Sequence, residues 1–208
     1  MEDIKEVFFT PLPDSPYVKP FRFNFTQNGQ KKTWDILEVH DSVAIIVFNV
    51  TRRVMIFVKQ FRPAIYYNCI KPEDRKAEFI DTKKYPASLG IALEMCAGIV
   101  DKDKSVDEIA REEVLEECGY NVELKDLHRI ISYRSGVGVQ GALQTLYYCE
   151  VTDDMKTEQG MQKRDTLGIF VYIITYFVFG KYFKLFTRPP QTTKDDQLTK
   201  MDCKIEDN

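Results

Sequence analysis

Four glutamates crowd one short stretch of this chain, Glu112, Glu113, Glu116 and Glu117, within residues 112–117. Glu113, Glu116 and Glu117 stand at i, i+3 and i+4, the spacing that stacks side chains on one face of a helix. Three carboxylates that converge there are hard oxygen donors of the kind that hold Mg²⁺ or Mn²⁺. Within a helix the same charges are unfavourable. Like charges at i,i+4 (Glu112/Glu116 and Glu113/Glu117) cost ~0.2–0.5 kcal/mol per pair, and anions near a C-terminus oppose the macrodipole by ~0.3–1 kcal/mol each. A bound cation would offset that cost; a solvated acidic face is the alternative reading.

The elements that must position these groups are legible around them. Ser105 and Glu108 are spaced as a capping box, Gly119 is a left-handed stop, and Val106, Ile109, Ala110 and Val114 form one apolar face, so 105–120 is predicted to be a bounded helix. Upstream, 92–97 reads as a short strand running into Gly98, and a charged loop leads on to the helix. Strand, glycine, loop and capped helix make a scaffold for a metal site. Two hairpins precede it: 21–26 with 31–39 around Asn28-Gly29, and 42–49 with 54–61, ended by Arg62-Pro63. Residues 1–20, with Pro11, Pro13, Pro16 and Pro20, read as an extended arm, and the polar stretch 66–88 as a surface insertion. Strands are expected at 127–133 and 142–151. The 134–141 loop between them holds Gly136, Gly138 and Gly141 and reads either as a ligand-approaching loop or as a plain connector. The apolar run 167–179 reads as a buried helix or strand, and 187–208 as a disordered tail.

With 208 residues, 44% of them hydrophobic, the chain can bury one good core. A net charge of −3 gives no polybasic field, which argues against nucleic acid and anionic membrane as general partners. Five cysteines, odd in number and without metal-type spacing, read as reduced structural thiols. The charged first residues are followed by no apolar run, so no secretory signal is expected and the cytoplasm is the expected location. The 167–179 run is shorter than the roughly 17–25 residues of a membrane span, although 167–186 would be borderline if Lys181 and Lys184 snorkelled. With only His40 and His128, Ser/His/Asp triads and His-based zinc sites are weak candidates.

Residues 98–120 resemble the Nudix box, G-x5-E-x7-R-E-U-x-E-E-x-G-U with U apolar: Gly98, Glu113, Val114, Glu116, Glu117, Gly119 and Tyr120 fall on it. Two positions depart, with Lys104 where the family has Glu and Glu112 where it has Arg. The exchange is complementary and predicts a pair of reversed polarity between Lys104 and Glu112, with neighbouring Arg111 as the other source of positive charge. Further runs, at 31–35, 40–43, 58–64, 96–98, 116–120 and 135–138, are similar to the UDP-sugar diphosphatase branch of the Nudix hydrolases, relatives of ADP-sugar pyrophosphatases. The likeness spans residues 15–160.

That resemblance implies an α+β Nudix fold, a mixed β-sheet between helices, and a homodimer paired through an N-terminal β-hairpin so that both chains build each substrate site. It implies three segments: a dimerising arm and hairpin at 1–38, the Nudix domain at 39–186 and the tail at 187–208. Glu113, Glu116, Glu117 and the Ala97 carbonyl would hold Mg²⁺ (or Mn²⁺), with Glu116 and Glu117 catalytic. Arg62 would touch the diphosphate or terminal sugar, its alternative being a strand-end surface charge. Trp34 would stack on the base, its alternative being a core or dimer contact, and Glu94 and Ser135 would lie near the ligand. The implied reaction converts UDP-glucose to UMP and glucose 1-phosphate, with ADP-ribose, giving AMP and ribose 5-phosphate, as a second substrate.

In the family, a carboxylate-bearing loop, a strand and a final helix follow the strand ending near Val151. Here Glu158-Gln159-Gly160 begins that loop, and 166–170 resembles the start of the final helix, as though loop and strand were skipped. Glu158 and Asp165 are the candidate substitutes for the missing carboxylate. The alternative function is a catalytically impaired Nudix-fold dimer that binds nucleotide as a regulatory module.

Overall fold

Alternating Phe21, Phe23 and Phe25 and the Asn28-Gly29 turn produce the first hairpin, β1 (Lys19–Gln27) against β2 (Gln30–Glu38). Asn28 and Gly29 both take positive φ, 53° and 75°, the geometry that lets a two-residue loop follow the strands' twist. The computed structural model describes residues 4–15, 18–157 and 165–169. Its hairpin is a separate two-stranded sheet, mostly exposed. A lone hairpin is marginally stable. This one is fastened to the 134–142 loop, since Trp34 Nε1 donates to the Gly138 carbonyl at 2.8 Å and the Leu37 amide to the Val139 carbonyl at 2.7 Å.

The second hairpin, β3 (Ser42–Asn49) and β4 (Val54–Phe61), pairs only near its tip, where Val47–Asn49 face Val54–Ile56. Beyond that the strands diverge, and the chain from Ile91 to Ile99 enters between them. β5 (Ile91–Glu94) pairs antiparallel with β4, placing Glu94 opposite Val58, and β6 (Cys96–Ile99) pairs antiparallel with β3, placing Cys96 opposite Ile45. The single strand expected at 92–97 is therefore two, kinked at Met95, because its two partners splay. β7 (His128–Arg134) and β8 (Leu143–Val151) follow as an antiparallel pair, and β8 lies parallel to β3.

The other edge of β4 takes β9 (Asp165–Ile169): Val58 faces Glu94 on one side and Thr166 on the other. Residues 165–169 are thus a strand and not the beginning of a final helix. The unpaired amides and carbonyls of Met55–Lys59 give an extended segment a ladder to complete. The result is a mixed seven-stranded sheet. Glu158, most of the 167–179 run and the expected tail lie outside the described residues. Among the described residues no helix is long and apolar enough to cross a membrane.

The main core lies between this sheet and the acidic helix, with Val43, Ile45, Val47 and Val58 packed against Ile109, Val114 and Tyr120. A polar network, buried at Asn49 and Tyr120 and open to solvent at Arg52 and Asp153, pins the hairpin tip to the helix end. Asn49 Nδ2 donates to Tyr120 Oη at 3.2 Å and to Asp153 Oδ1 at 2.8 Å, and Arg52 Nη2 donates to Tyr120 Oη at 2.6 Å.

A second, smaller core corrects the reading of 66–88 as a surface insertion. Pro63 sits in the first turn of helix α1 (Pro63–Cys69), and Tyr66 and Ile70 bury themselves with Ile80 and Tyr85. Ile4 and Val7 of the extended arm cover this cluster, and the Ile80 amide donates to the Val7 carbonyl at 2.8 Å. The lysines and acids that dominate the composition lie outside, while apolar residues far apart in sequence meet only once the arm folds back.

Candidate active site

The acidic helix starts as its residues demand. In α2 (Val106–Glu113) the Glu108 amide donates to Ser105 Oγ at 3.2 Å, and the Ser105 amide donates to Glu108 Oε2 at 2.9 Å. The Ser105 hydroxyl, which donates to Glu108 Oε2 at 2.7 Å, and then the Ser105 amide hold the Glu108 carboxyl below its usual range. The helix then widens into one π turn, Val114–Cys118, and stops at Gly119 with φ 75°. The Gly119 amide returns to the Leu115 carbonyl at 3.0 Å, the bond of an αL cap, and the Tyr120 amide reaches back to the Val114 carbonyl at 3.4 Å. Single π turns inside α-helices concentrate at functional sites, and this one carries Glu116 and Glu117.

Each carboxylate meets a different neighbour. Glu117 is 4% exposed and its Oε2 accepts the Ala97 amide at 3.0 Å. Glu113 lies directly over Gly98, where a Cβ would stand 2.2 Å from its Oε1. Glu116 is directed outward, its Oε1 3.8 Å from Lys102 Nζ. Strand β6 and the helix end are thus interlocked through two carboxylates, and the glycine is required by close approach. Among the described residues no three His, Cys, Asp or Glu side chains form a ready-made metal cluster, so the expected convergence of three glutamates on one point is not present in this conformation.

In chemistry the residues fit a hard divalent ion. Carboxylate oxygens and a strand carbonyl are the available donors, while the adjacent thiols Cys96 and Cys118 are buried in the core. The Cys96 thiol is pushed well up by its bond to Cys118 and by burial.

Two expected substrate contacts come together. Arg62 grips Glu94 with both arms, Nε to Oε1 at 2.7 Å and Nη2 to Oε2 at 2.5 Å, and Gln60 Nε2 adds a bond to Glu94 Oε2 at 3.1 Å. This pairing with Glu94 pushes the guanidinium's pKa up. Trp34 is held by Gly138, and Ser135 closes its own loop, its amide donating to the Ala142 carbonyl at 2.9 Å. Ser42, Ile99 and Gln144 share one row of the sheet, so the 134–142 loop and the C-terminal end of β6 stand at the same end. β4 runs toward that end as well, and Arg62 follows directly on it.

No family model matches the chain. Over 169 residues it is 41% identical to uridine diphosphate glucose pyrophosphatase NUDT14 of Bos taurus, covering 77% of this chain and 76% of that protein. Against the Mus musculus protein of the same name the identity is 40% over 171 residues, with the same coverage. The chain belongs to the Nudix sugar-nucleotide pyrophosphatases. GDP-mannose pyrophosphatase of Salmonella arizonae is a more distant relative, 28% identical over 119 residues, 55% of this chain and 53% of that protein.

In this Nudix pyrophosphatase the pair of reversed polarity expected in the box is formed. Lys104 Nζ donates to Glu112 Oε1, and Lys102 Nζ reaches Glu112 Oε2 at 3.3 Å. Lys102, which the sequence reading did not single out, takes the second position there instead of Arg111. The Lys104 bond first, then Lys102, holds the Glu112 carboxyl below its usual value of 4.5. A depressed folded value means that the pair's contribution is present above pH 4.5 and is lost as pH falls through the folded pKa. Lys104→Glu sets two carboxylates face to face and is expected to lower the melting temperature near neutral pH, with Glu112→Lys in the same chain recovering part of the loss. Thermal unfolding of the two variants checks this, and an unmoved midpoint in Lys104→Glu would count against the pair. Gln60 was also missed, though it stands near the end of β4 two residues before Arg62, whose backbone is still extended, the spacing that puts both on one face.

Proposed function

We propose that this chain hydrolyses the diphosphate bond of UDP-sugars, UDP-glucose to UMP and glucose 1-phosphate, in a Mg²⁺-dependent reaction that Mn²⁺ also supports. ADP-ribose, giving AMP and ribose 5-phosphate, is the second substrate. The observation that carries the reading is the interlock of Glu113 and Glu117 with Gly98 and Ala97, at the sheet end where Arg62 and Glu94 are paired. The names of the mammalian relatives supply the substrate class.

Glu113, Glu116, Glu117 and the Ala97 carbonyl would hold the divalent ion, which when bound neutralises charge on the diphosphate and activates water for in-line attack. Arg62, half exposed at the end of β4, is a planar donor suited to phosphate oxygens, and Glu94 fixes its orientation. Glu117, held by the Ala97 amide, and Glu116, open to solvent, would be the catalytic pair. Trp34, 55% exposed and steadied by Gly138, offers a ring face to the base, while Ser135 shapes the adjoining loop.

The exposed Phe21 and Phe23 of the β1–β2 hairpin form the face through which two copies pair, in the cytoplasm. Sedimentation should give a mass of two 24.3 kDa chains, and a monomer would overturn the dimer. To test the activity, purified chain is incubated with UDP-glucose and Mg²⁺ and the products are followed by phosphorus NMR. UMP and glucose 1-phosphate should accumulate and EDTA should stop them. Binding of UDP-glucose without turnover would instead favour a nucleotide-binding module.

A further inference from the structure

The reversed pair in the box leaves one cation without a role in the proposed chemistry. Lys102 lies in the loop between β6 and α2, and its ammonium bridges two carboxylates, Glu112 Oε2 at 3.3 Å and Glu116 Oε1 at 3.8 Å. Lys104 already neutralises Glu112. The effect of Lys102 that Lys104 does not duplicate is therefore on Glu116.

We propose that Lys102 is a built-in counter-cation of the metal-binding carboxylates, occupying Glu116 in the ion-free chain and setting how tightly the divalent ion is held. This rests on the assignment of Glu113, Glu116 and Glu117 as the ion's ligands.

The physical reasoning is competitive. Glu116 is 54% exposed at its side chain and Lys102 40%, so their contact is one that a divalent ion, with twice the charge and a direct bond to oxygen, can displace. An ammonium that must yield Glu116 before the ion binds lowers the apparent affinity by the strength of the contact it gives up. It also limits the repulsion among Glu112, Glu113, Glu116 and Glu117 when no ion is present, the cost that helix geometry imposes on this sequence. Lys102 is thus a positioning residue: it acts on the ion through Glu116, and its role is read in binding before it is read in turnover.

Mn²⁺ binding to the whole chain, measured by electron paramagnetic resonance of the free ion without substrate, tests this. Lys102→Met removes the charge but keeps the length, and should tighten Mn²⁺ binding ~two- to fivefold, the size expected of a part-exposed ion pair. Lys102→Arg, which keeps the charge, should stay near wild type, and Lys104→Met, which removes a partner of Glu112 and none of Glu116, should change the affinity less than Lys102→Met. Melting temperatures measured alongside show that each variant is folded. Unchanged or weaker Mn²⁺ binding in folded Lys102→Met overturns the inference and leaves the metal site standing. If neither wild type nor Lys102→Met binds Mn²⁺, the ligand assignment fails and the inference fails with it.

Discussion

Glu117→Gln is expected to lower kcat for UDP-glucose by ~10²–10⁴-fold, the usual loss when a positioned carboxylate is removed from the reacting centre. The fold should tolerate the change. The Gln carbonyl has the size and reach of the Oε2 that accepts the Ala97 amide, so the link between β6 and the π turn is retained while the charge is lost. Steady-state kinetics and thermal unfolding on the same sample separate the two effects. Turnover at the wild-type rate in a folded variant would remove Glu117 from the site. A collapse of melting temperature in parallel with activity would make its role structural.

Gly98→Ala makes a sharper distinction, because it alters no charged group. An added Cβ would lie 2.2 Å from Glu113 Oε1 and 2.6 Å from its Cγ, so the Glu113 side chain must leave its place. The backbone at Gly98 has no positive φ, and alanine there reduces the freedom of the unfolded chain, an effect that stabilises by ~0.4–1 kcal/mol where no strain intervenes. The expected result is a chain that melts at or near the wild-type temperature and whose Mn²⁺ affinity and kcat/KM fall ~10–100-fold, as for other changes that mis-set a metal ligand. Because the substitution acts through Glu113, adding Glu113→Ala should cost little more. Full activity in Gly98→Ala would show that Glu113 need not lie against β6.

Local features of this protein were readable wherever the causes were local. The capping box at Ser105 and Glu108, the stop at Gly119 and the Asn28-Gly29 turn each depend on residues within four positions of one another, and each is present. Complementary charges made the Lys104–Glu112 pair legible as well. What escaped notice depends on distant partners. The kink at Met95 follows from the divergence of β3 and β4, which no pattern in 91–99 records. The small core at Tyr66 and Ile70 needs Ile4 and Val7, some sixty residues earlier, and only the i,i+4 spacing of Tyr66 and Ile70 hinted at it. β9 arises because β4 has an edge to fill, a property of β4 and not of 165–169. In the site, Arg62 and Glu94 were each found by resemblance, but their bidentate bond is visible only once β5 lies along β4.

The kinked path from Ile91 to Ile99 also bears on when the site comes into being. Its carbonyl at Ala97 and its glycine at 98 are held by pairings with β3 that bridge more than fifty residues, Ala44 to Ala97 and Val43 to Gly98. The acidic helix can nucleate by itself, as local structure does in microseconds or less, yet it has nothing to grip until those long-range pairs close. A partly folded chain therefore presents its glutamates without the strand that sorts them. The amides that β6 donates to β3 should be among the slowest to exchange with deuterium, because their protection is lost only when the sheet opens, whereas the Ala97 amide, bonded to Glu117, exchanges whenever that carboxylate lets go.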